Sequence, residues 1–377
     1  MSQPLRIAHI ISVMDYGGVE AMALLLLKQL PTSEFEHHII YVGRRAPARL
    51  SEFTALSKSV STIPYSLWRW YRFTRQISRA LQERQIDAVL CHNFGQHPFV
   101  GLGASWAGIQ RVYTIVASSP CMTSGARLRN RLKGWLGRRW CKLEVAVSSP
   151  VAQELVTDLG LPADRVRTIV NCCLTEEISE RADLSRRRRT VTEPQLLMVA
   201  RMDDAKDHDM LLQAISVLKK QGLTPKLCLA GEGPRKGELI QKCHSLDITY
   251  QVIFHGARHD IPELLGACDL FVFATKTEGF GLALIEAMSA GIPIISSDLP
   301  VCRQILDDGK CGVLVPVGNA NLLAEKIRYL LEHLVQAQEL AAAARVAAHT
   351  RFSPKATVDQ YAQLLRGELD STAQSPE

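Results

Sequence analysis

The chain has 377 residues, of which 47% are hydrophobic and 22% are charged, and this composition is typical of a globular protein. Its length suits two domains of about 150–200 residues each. No stretch reaches the roughly 18 apolar residues that a membrane-spanning helix needs, and residues 1–11 lack the features of a signal peptide. We therefore expect a cytoplasmic protein, and the 10 scattered cysteines, without a CxxC pair, favour reduced thiols.

The charge is unevenly distributed along the chain. Residues 1–189 hold 26 Lys and Arg against 15 Asp and Glu, a net charge of +11, whereas residues 190–377 hold 18 against 23, a net charge of −5. A basic first half indicates an anionic partner, such as a phospholipid surface, a phosphorylated acceptor or a nucleic acid.

Short apolar strands alternate with helices through the first half, as in a buried parallel sheet. A glycine pair, Gly17 and Gly18, stands between the first strand and the first helix. The predicted strands are Leu5–Val13, His38–Val42, Ala88–His92, Arg111–Val116, Glu144–Ser148 and Val166–Val170, and the predicted helices include Val19–Leu30, Phe73–Arg84 and one that starts at Ser149.

The segment Leu184–Glu193 has no apolar periodicity, and we interpret it as a linker. The alternation then restarts, which predicts two doubly wound α/β domains at 1–185 and 190–354, with a disordered tail at 371–377. The predicted strands are Leu196–Ala200, Lys226–Ala230, Val252–Phe254, Leu270–Ala274, Pro293–Ser296 and Val313–Val315, and the predicted helices are Met210–Gln221, Lys236–His244, Ile261–Ala267, Leu282–Ala290 and Ala320–His333.

The segment from Glu278 to Glu286 carries the clearest chemistry. Glu278 follows an apolar strand, Gly279 and Gly281 let the backbone approach a ligand, and a helix then begins near Leu282. The free amides and the dipole of a helix start suit a diphosphate. Two carboxylates at this spacing suit the hydroxyl groups of a sugar, since one carboxylate accepts from two neighbouring hydroxyls.

A second segment supplies cations. Arg201 directly follows a predicted strand and Lys206 precedes the next helix. Arg offers a bidentate fork and Lys a point charge, so together they could neutralise a pyrophosphate leaving group.

The second half resembles the group 1 retaining glycosyltransferases, a family with the GT-B fold, in which two Rossmann-like domains face a central cleft. The likeness covers about residues 195–365 and rests on Glu278 and Glu286, on Arg201 and Lys206, and on glycine-rich turns at 230–234 and 254–256. The stretch 351–361 also resembles the family's last helix, expected at about 355–370 and packed back on the first domain.

The resemblance implies a role for each matched residue. Glu278 would contact the donor sugar and Glu286 the ribose hydroxyls, while Arg201 and Lys206 would face the diphosphate. The remaining donor-binding residues that it implies are Gly17, Gly18, Gly231, Gly233, His255, Gly256, Gly279, Phe280, Gly281 and Leu282.

The first half departs from the family at one position. Many members carry a histidine after the fifth strand, where this chain has Val116. His92, which matches the family's histidine at the end of the fourth strand, or His97 could take that role, and we expect His92 near the transfer centre. In the mechanism usually proposed for the family the leaving phosphate takes the acceptor's proton, so catalysis does not depend on this histidine.

We expect neither a metal nor another cofactor, because we find no Asp-x-Asp in a loop that follows a strand. The predicted function is transfer of a hexose from a UDP- or GDP-sugar to a glycan or lipid-linked acceptor, in cell-surface polysaccharide or glycolipid biosynthesis. Two alternatives stay open: a nucleotide-sugar 2-epimerase or a sugar phosphorylase with the same fold, and a nucleotide-sugar-binding or nucleic-acid-binding protein without transfer activity.

Residues 126–142 alternate cations with Leu128, Leu132, Trp135, Leu136 and Trp140 at helical spacing. Such a helix could lie on an anionic membrane surface, or its apolar stripe could face the core of its own domain. A second aromatic and basic cluster spans residues 68–73, and a membrane reading of both would place the protein peripherally on the inner face of the membrane. We expect no nucleic acid partner; the run Arg186–Arg189 fits a solvated linker.

Overall fold

The computed structural model describes residues 3–15, 17–44, 46–92, 94–117, 124–190 and 193–369. The chain divides into two compact units, one formed by Met1–Asn171 with Pro354–Glu377 and the other by Cys172–Ser353. The segment 371–377, for which the sequence predicts disorder, lies outside the described residues, as does Tyr16 beside the first glycine turn.

The first unit is built on a parallel sheet of seven strands in the order β3-β2-β1-β4-β5-β6-β7. Its strands are β1 (Leu5–Ile11), β2 (Phe35–Tyr41), β3 (Ser59–Thr62), β4 (Ala88–Cys91), β5 (Arg111–Val116), β6 (Leu143–Ala146) and β7 (Val166–Thr168). Its helices are α1 (Gly18–Gln29), α2 (Leu50–Ala55), α3 (Trp70–Glu83), α4 (His97–Trp106), α5 (Ser124–Gly137) and α6 (Ser149–Thr157), joined by the C-terminal helix Pro354–Arg366. The strand order reverses between β1 and β4, where such sheets bind ligands beyond the carboxyl ends of the strands.

The second unit repeats this plan with a parallel sheet of six strands in the order β10-β9-β8-β11-β12-β13. Its strands are β8 (Gln195–Val199), β9 (Lys226–Ala230), β10 (Val252–Gly256), β11 (Leu270–Phe273), β12 (Ile294–Ser297) and β13 (Val313–Val315). Its helices are α7 (Thr175–Arg188), α8 (His208–Lys220), α9 (Lys236–Ser245), α10 (Ile261–Ala267), α11 (Leu282–Ala290), α12 (Pro300–Ile305), α13 (Ala320–Glu332) and α14 (Leu334–Arg351). The two predicted doubly wound α/β blocks are therefore confirmed.

The predicted boundary between the blocks was misplaced. The chain passes from the first unit to the second after Asn171 rather than at 185–190, and part of the expected linker is the end of helix α7. This helix packs against the second unit: Ser179 donates to the carbonyl of Ser289 at 2.7 Å, and Arg181 forms an ion pair with Glu263 at 2.8 Å. Its contacts are largely polar, so apolar periodicity could not reveal it.

The C-terminal helix, α15 (Pro354–Arg366), belongs to the first unit although it follows the second along the chain. The buried hydroxyl of Tyr113 donates to the carbonyl of Leu364 at 2.8 Å, and Thr357 donates to the carbonyl of Val170 at 2.9 Å. Helix α15 is thus tied to the strand β5 and to the segment that follows β7.

Helix α5 turns its apolar side chains toward solvent, whereas an ordinary surface helix buries them. Gly134 and Gly137 face its own unit, and a Cβ added at Gly137 would lie 1.9 Å from the His97 ring. Its large apolar side chains point outward instead, with exposed fractions of 73% for Leu128, 58% for Leu132 and 57% for Trp135. The alternative in which the stripe covers the domain core is therefore wrong.

Among the described residues, no helix is both long and apolar enough to cross a bilayer.

Candidate active site

Three loops at the carboxyl edge of the second sheet hold most of the predicted site residues. They follow β8, β9 and β11, and these strands are neighbours in the order β9-β8-β11. Parallel strands end at the same edge, so residues far apart in sequence meet there.

Lys206 and Glu278 form an ion pair across two of these loops, with side chains that are only 16% and 15% exposed. Lys206 Nζ also lies 5.0 Å from the centre of the Phe273 ring. The other oxygen of Glu278, Oε1, accepts from the Gly279 amide at 3.1 Å. A cation and a carboxylate are therefore held together beneath the loop, each fixed by more than one contact.

The backbone explains why this pair is so well placed. Lys206 forms an isolated antiparallel bridge with Thr275, and the Thr275 hydroxyl donates to the carbonyl of Ala205 at 3.1 Å. The Thr275 amide in turn donates to Ser297 Oγ at 2.8 Å. The loops after β8 and β11 are thus tied to each other and to β12 before any ligand arrives, which lowers the cost of organising the site.

Arg201, unlike the buried pair, is largely exposed to solvent. Its side chain is 64% exposed, and its Nε lies 3.3 Å from Asp203 Oδ2. The structure therefore brings Lys206 to Glu278, while Arg201 stays a solvent-exposed cation on the same loop. Its role at a diphosphate remains a prediction.

The turn after β9 packs directly on the Arg201 loop. A Cβ at Gly231 would lie 2.0 Å from the Ala200 carbonyl oxygen, and one at Gly233 would lie 2.3 Å from that of Met202. The Arg235 amide donates to the carbonyl of Met202 at 3.0 Å. The visible role of both glycines is to let this turn support the loop of Arg201 and Lys206; donor contact by their backbones stays a prediction.

Helix α11 begins immediately after the second glycine of the Glu278 loop. Gly281 caps it in the left-handed region, with φ of 94°, which only glycine adopts readily. Phe280 is buried, and its ring centre lies 6.1 Å from that of Phe352. The buried ring and the left-handed glycine fix the start of α11 at Leu282, whose free first-turn amides can hold an anion.

Glu286 lies in the second turn of α11. Burial raises the pKa of this carboxyl from 4.5 to about 7. It therefore exists in both protonation states near neutral pH, and a hydroxyl-rich ligand would favour the ionised form by donating to it.

The turn at the end of β10 contains an unsatisfied polar atom. His255 Nε2 is buried without a hydrogen-bond partner among the described residues, and burial lowers the pKa of His255. Gly256 has φ of 70°, and its carbonyl accepts from the Gly231 amide at 2.7 Å. The turn is thus joined to the glycine turn after β9, and a neutral His255 has a ring nitrogen available for a ligand group.

In the first unit, His92 is the end of a chain of three buried histidines. His9 Nδ1 lies 3.1 Å from His92 Nε2, and His9 Nε2 lies 3.0 Å from His37 Nδ1. Burial lowers the pKa of His9 well below its ordinary value and those of His37 and His92 to about 4. All three rings are therefore neutral at pH 7, and His92 Nδ1 has no hydrogen-bond partner among the described residues; its contact with a substrate stays a prediction.

His97, the other histidine considered for the position of Val116, is wholly buried beneath α5. Its Nδ1 donates to the carbonyl of Phe94 at 2.5 Å, so this nitrogen is not available to a substrate. Val116 is buried as well. Of the two histidines, His92 is the one whose position suits a site.

The glycine pair near the start of the chain lies where β1 passes into α1. Gly18 is the first residue of α1, and a Cβ at Gly17 would lie 2.5 Å from Glu20 Oε2. Gly17 is extended, with φ of −154°, and the atom that its Cβ would meet is the end of a flexible side chain, so neither observation requires a glycine here.

One expectation about acidic residues needs correction. Asp207 and Asp209 do have Asp-x-Asp spacing, at the end of the loop after β8. Asp207 caps α8 by accepting from the Met210 amide at 3.3 Å, and Asp209 pairs with Arg235 at 2.8 Å and with Lys242. These contacts give both carboxylates structural partners. Across the described part of the chain, no group of three or more His, Cys, Asp or Glu is placed to hold a metal ion.

Sequence reasoning missed the partners of the predicted residues. His9 stands among buried apolar residues of β1, which was an available signal, but its contact with His92 joins residues 83 positions apart. Ser297 and Thr275, which brace the Lys206 loop, carry no motif at all.

Comparison with known proteins agrees with this architecture. N-acetyl-alpha-D-glucosaminyl L-malate synthase of Bacillus anthracis is 23% identical over 365 residues, 92% of each chain. The N-acetylgalactosamine-N,N'-diacetylbacillosaminyl-diphospho-undecaprenol 4-alpha-N-acetylgalactosaminyltransferase of Campylobacter jejuni is 27% identical over 183 residues, 48% of each chain. The solved structure of Anabaena Alr3699/HepE in complex with UDP and glucose matches 96% of this chain and 99% of its own, with a TM-score of 0.84 at 19% identity.

Family models account for most of the chain. The model for glycosyl transferases group 1 matches residues 180–347, and the model for Glycosyltransferase Family 4 matches residues 16–177. These matches adjoin near the boundary between the two units, and the likeness to the solved structure shows the GT-B fold. The chain belongs to the group 1 glycosyltransferases.

Proposed function

We propose that this glycosyltransferase transfers a hexose, with retention of configuration, from a nucleoside diphosphate sugar to a glycan or lipid-linked acceptor in polysaccharide or glycolipid biosynthesis. The observation that carries the proposal is the buried Lys206–Glu278 pair, directly before the glycine-capped start of α11. The likeness to a structure that holds UDP and glucose favours UDP over GDP as the donor nucleotide.

Some of the site residues neutralise the charge of the diphosphate, and others orient the sugar and the ribose. The amides at the start of α11 and the Lys206 ammonium hold the diphosphate, whose negative charge grows as the sugar departs. Glu278 accepts hydrogen bonds from sugar hydroxyls, and Glu286 accepts from the ribose. Exposed Arg201 supplies a second cation to the phosphates.

The transfer itself exchanges one bond at the anomeric carbon. The bond from C1 to the diphosphate oxygen breaks, and the acceptor oxygen bonds to C1 on the same face, so the configuration is retained. The proton of the acceptor hydroxyl passes to the departing phosphate oxygen. In this mechanism the protein needs no general base, and its main contributions are positioning and stabilisation of charge.

A Glu278→Ala variant tests the assignment, with Glu325→Ala, an exposed position on α13, as the matched control. We expect Glu278→Ala to lower transfer about 100-fold or more, as the loss of a preorganised polar group at a transition state does. The control should keep wild-type activity. Full transfer by Glu278→Ala would overturn the assignment, and formation of an epimerised sugar from UDP-sugar alone would favour the epimerase.

We also propose that α5 contacts an anionic membrane surface. Its outward Leu128, Leu132 and Trp135 would enter the lipid interface, while the exposed Arg131 and Arg138 would meet anionic headgroups. The glycine face inside explains how the helix can stay packed while its apolar stripe points away from its own unit.

Vesicle sedimentation tests this contact. We expect the wild-type chain to sediment with phosphatidylglycerol vesicles, less so with phosphatidylcholine vesicles, and a Leu132→Glu/Trp135→Glu variant to stay in solution. Leu334→Glu, at a position that is 63% exposed on α14, is the matched control and should sediment like wild type. Equal sedimentation of the double variant and wild type would refute the contact.

A further inference from the structure

A cavity of about 440 Å³ opens at the carboxyl edge of the first sheet, in a part of the molecule that the donor chemistry leaves unused. Four successive strands of the sheet supply its walls. Ser12 follows β1, Gly43 and Arg44 follow β2, Tyr65 and Trp68 lie beyond β3, and Gln96 lies beyond β4. Ligands of doubly wound sheets bind at this edge, next to the reversal of strand order between β1 and β4.

The loop after β2 packs closely against the end of β1. A Cβ at Gly43 would lie 2.4 Å from the Ser12 carbonyl oxygen and 2.2 Å from the Tyr41 hydroxyl oxygen. The glycine therefore holds the loop against the end of β1, and Arg44, the next residue, emerges at the cavity wall.

Arg44 gives the cavity a positive charge. Its Nε donates to the Tyr65 carbonyl at 3.0 Å, which fixes the side chain and leaves the two terminal amino groups of the guanidinium for a ligand. Within the described ranges, Arg44 forms no ion pair with a carboxylate, and no carboxylate lines the cavity. A guanidinium held in this way suits a phosphate, which it can bind through two parallel hydrogen bonds.

Trp68 and Gln96 supply the features of a saccharide site. Trp68 is 96% exposed, so its indole offers a flat apolar surface on which the C–H face of a pyranose ring can pack. Gln96 Oε1 is buried without a hydrogen-bond partner among the described residues. A buried acceptor without a partner is costly, and rotation of the Gln96 side chain toward the cavity that it lines would let a sugar hydroxyl donate to it and remove the cost.

We infer that this cavity is the acceptor site and that it binds a phosphate-bearing saccharide, with the pyranose on Trp68, a hydroxyl on Gln96 and the phosphate on Arg44. The inference rests on the proposed function, since it identifies the second substrate of the same transfer. The phosphate could belong to a soluble sugar phosphate or to a diphosphate-linked lipid saccharide, and both share the recognised chemistry.

Ligand-observed NMR titration tests the site. The probes are N-acetylglucosamine 1-phosphate and methyl N-acetylglucosaminide, which differ in the phosphate. We expect the phosphate to improve binding about tenfold, Arg44→Gln to abolish that difference, and Arg44→Lys to restore part of it. Trp68→Ala should weaken both ligands about tenfold, because each loses the stacking surface.

The control variant is Arg79→Gln, an exposed arginine of α3 away from the cavity, which should bind both probes as wild type does. UDP and GDP binding, measured on every variant, separates the two proposals. If a nucleotide binds normally but neither Arg44→Gln nor Trp68→Ala changes saccharide binding, the acceptor site is wrong and the donor site stands. If neither nucleotide binds to the wild-type chain, the proposed function itself fails.

A further arm identifies the source of the phosphate. A short-chain polyprenyl diphosphate N-acetylglucosamine in micelles is compared with the soluble sugar phosphate on wild type and Arg44→Gln. Tighter binding of the lipid-linked compound assigns a lipid acceptor, and equal affinity assigns a soluble one. In both cases Arg44→Gln must weaken binding, and undiminished binding of both compounds would overturn the inference.

Discussion

Glu286 shows how a single residue can join ligand binding to pH. Burial raises the pKa of its carboxyl from 4.5 to about 7, so in this range the folded chain keeps a proton that the unfolded chain releases. The contribution of this group to stability is therefore present below about pH 4.5 and is lost as the pH rises to about 7.

We expect Glu286→Gln to remove this loss, so that the variant's melting temperature falls less than that of wild type between pH 5 and 8. Donor binding should show the opposite trend in wild type, tightening as pH rises through about 7, because in the proposed function the ribose hydroxyls donate to Glu286 and the ionised carboxylate is the stronger acceptor. Calorimetric titration of UDP across this range, on both proteins, measures the effect. A pH-dependence identical in the variant would refute the role of Glu286.

The three buried histidines of the first unit lead to a prediction of opposite sign. Burial lowers the pKa of His37 and His92 from 6.5 to about 4, so between these values the unfolded chain binds protons that the folded chain does not. The stability from this cluster is therefore present above about pH 6.5 and is lost as the pH falls toward 4.

His37→Asn should make the acid branch of the stability curve shallower, because one titrating ring is removed. Urea unfolding midpoints at pH 7, 6 and 5 measure this slope. The exposed His244 of α9 provides the control variant, His244→Asn, whose slope should match that of wild type. An unchanged slope in His37→Asn would show that the histidine chain does not control acid stability.

At the residue scale, the sequence predicted which residues belong to the site but not which residues they contact. Apolar periodicity and the glycines predicted that Glu278 lies just before a helix start. They also predicted that Lys206 lies in a loop after a strand. The ion pair between them joins residues 72 positions apart. The ion pair depends on the contacts of Thr275 and Ser297, which hold two loops together. A local sequence pattern contains no information on contacts between distant loops.

At the scale of elements, α7 and α10 show a close contact that only glycine permits. A Cβ at Gly266 would lie 2.1 Å from the Ala182 carbonyl oxygen, which is backbone and cannot rotate away. This approach holds α7 to the second unit and explains why the predicted linker is partly a packed helix.

Gly266→Ala should therefore destabilise the second unit by about 1–3 kcal/mol, the usual cost of overpacking. Gly237→Ala is the matched control, since a Cβ there meets nothing within 4 Å in helix α9, and it should be neutral or stabilise by up to about 1 kcal/mol. Urea unfolding followed by circular dichroism measures both. Equal midpoints for the two variants would show that the contact between α7 and α10 contributes nothing.

Elements with strong apolar periodicity were predictable, and weakly patterned ones were not. Most buried strands, such as β1 and β11, were located within a few residues because both faces of a parallel strand are covered. Strand β3 (Ser59–Thr62) was missed because it is a short edge strand with largely polar residues. The outward stripe of α5 could not be told from an inward one, since periodicity gives a face but not its direction.

At the scale of the whole molecule, the two similar sheets carry different candidate sites, and the charge pattern differs between them in the same way. The second unit contains the Lys206–Glu278 pair and the start of α11, whereas the basic first unit contains Arg44, the exposed Trp68 and the outward face of α5. The fold class was accessible from sequence because strand and helix alternation repeats in both halves. The proposed donor site was accessible through its motifs, whereas the proposed acceptor site has none.

The central claim is a nucleoside diphosphate sugar site at Lys206 and Glu278, and thermal unfolding with UDP- and GDP-sugars tests it most directly. A ligand at 100 times its dissociation constant adds about 2.7 kcal/mol to stability. We predict that one nucleotide class stabilises the wild-type chain. It should also stabilise the control variant Lys219→Met, whose lysine lies on α8 and pairs with Asp247 in the turn after α9. Lys206→Met should lose most of that stabilisation. Full stabilisation of Lys206→Met, or none of wild type by either class, would contradict the account.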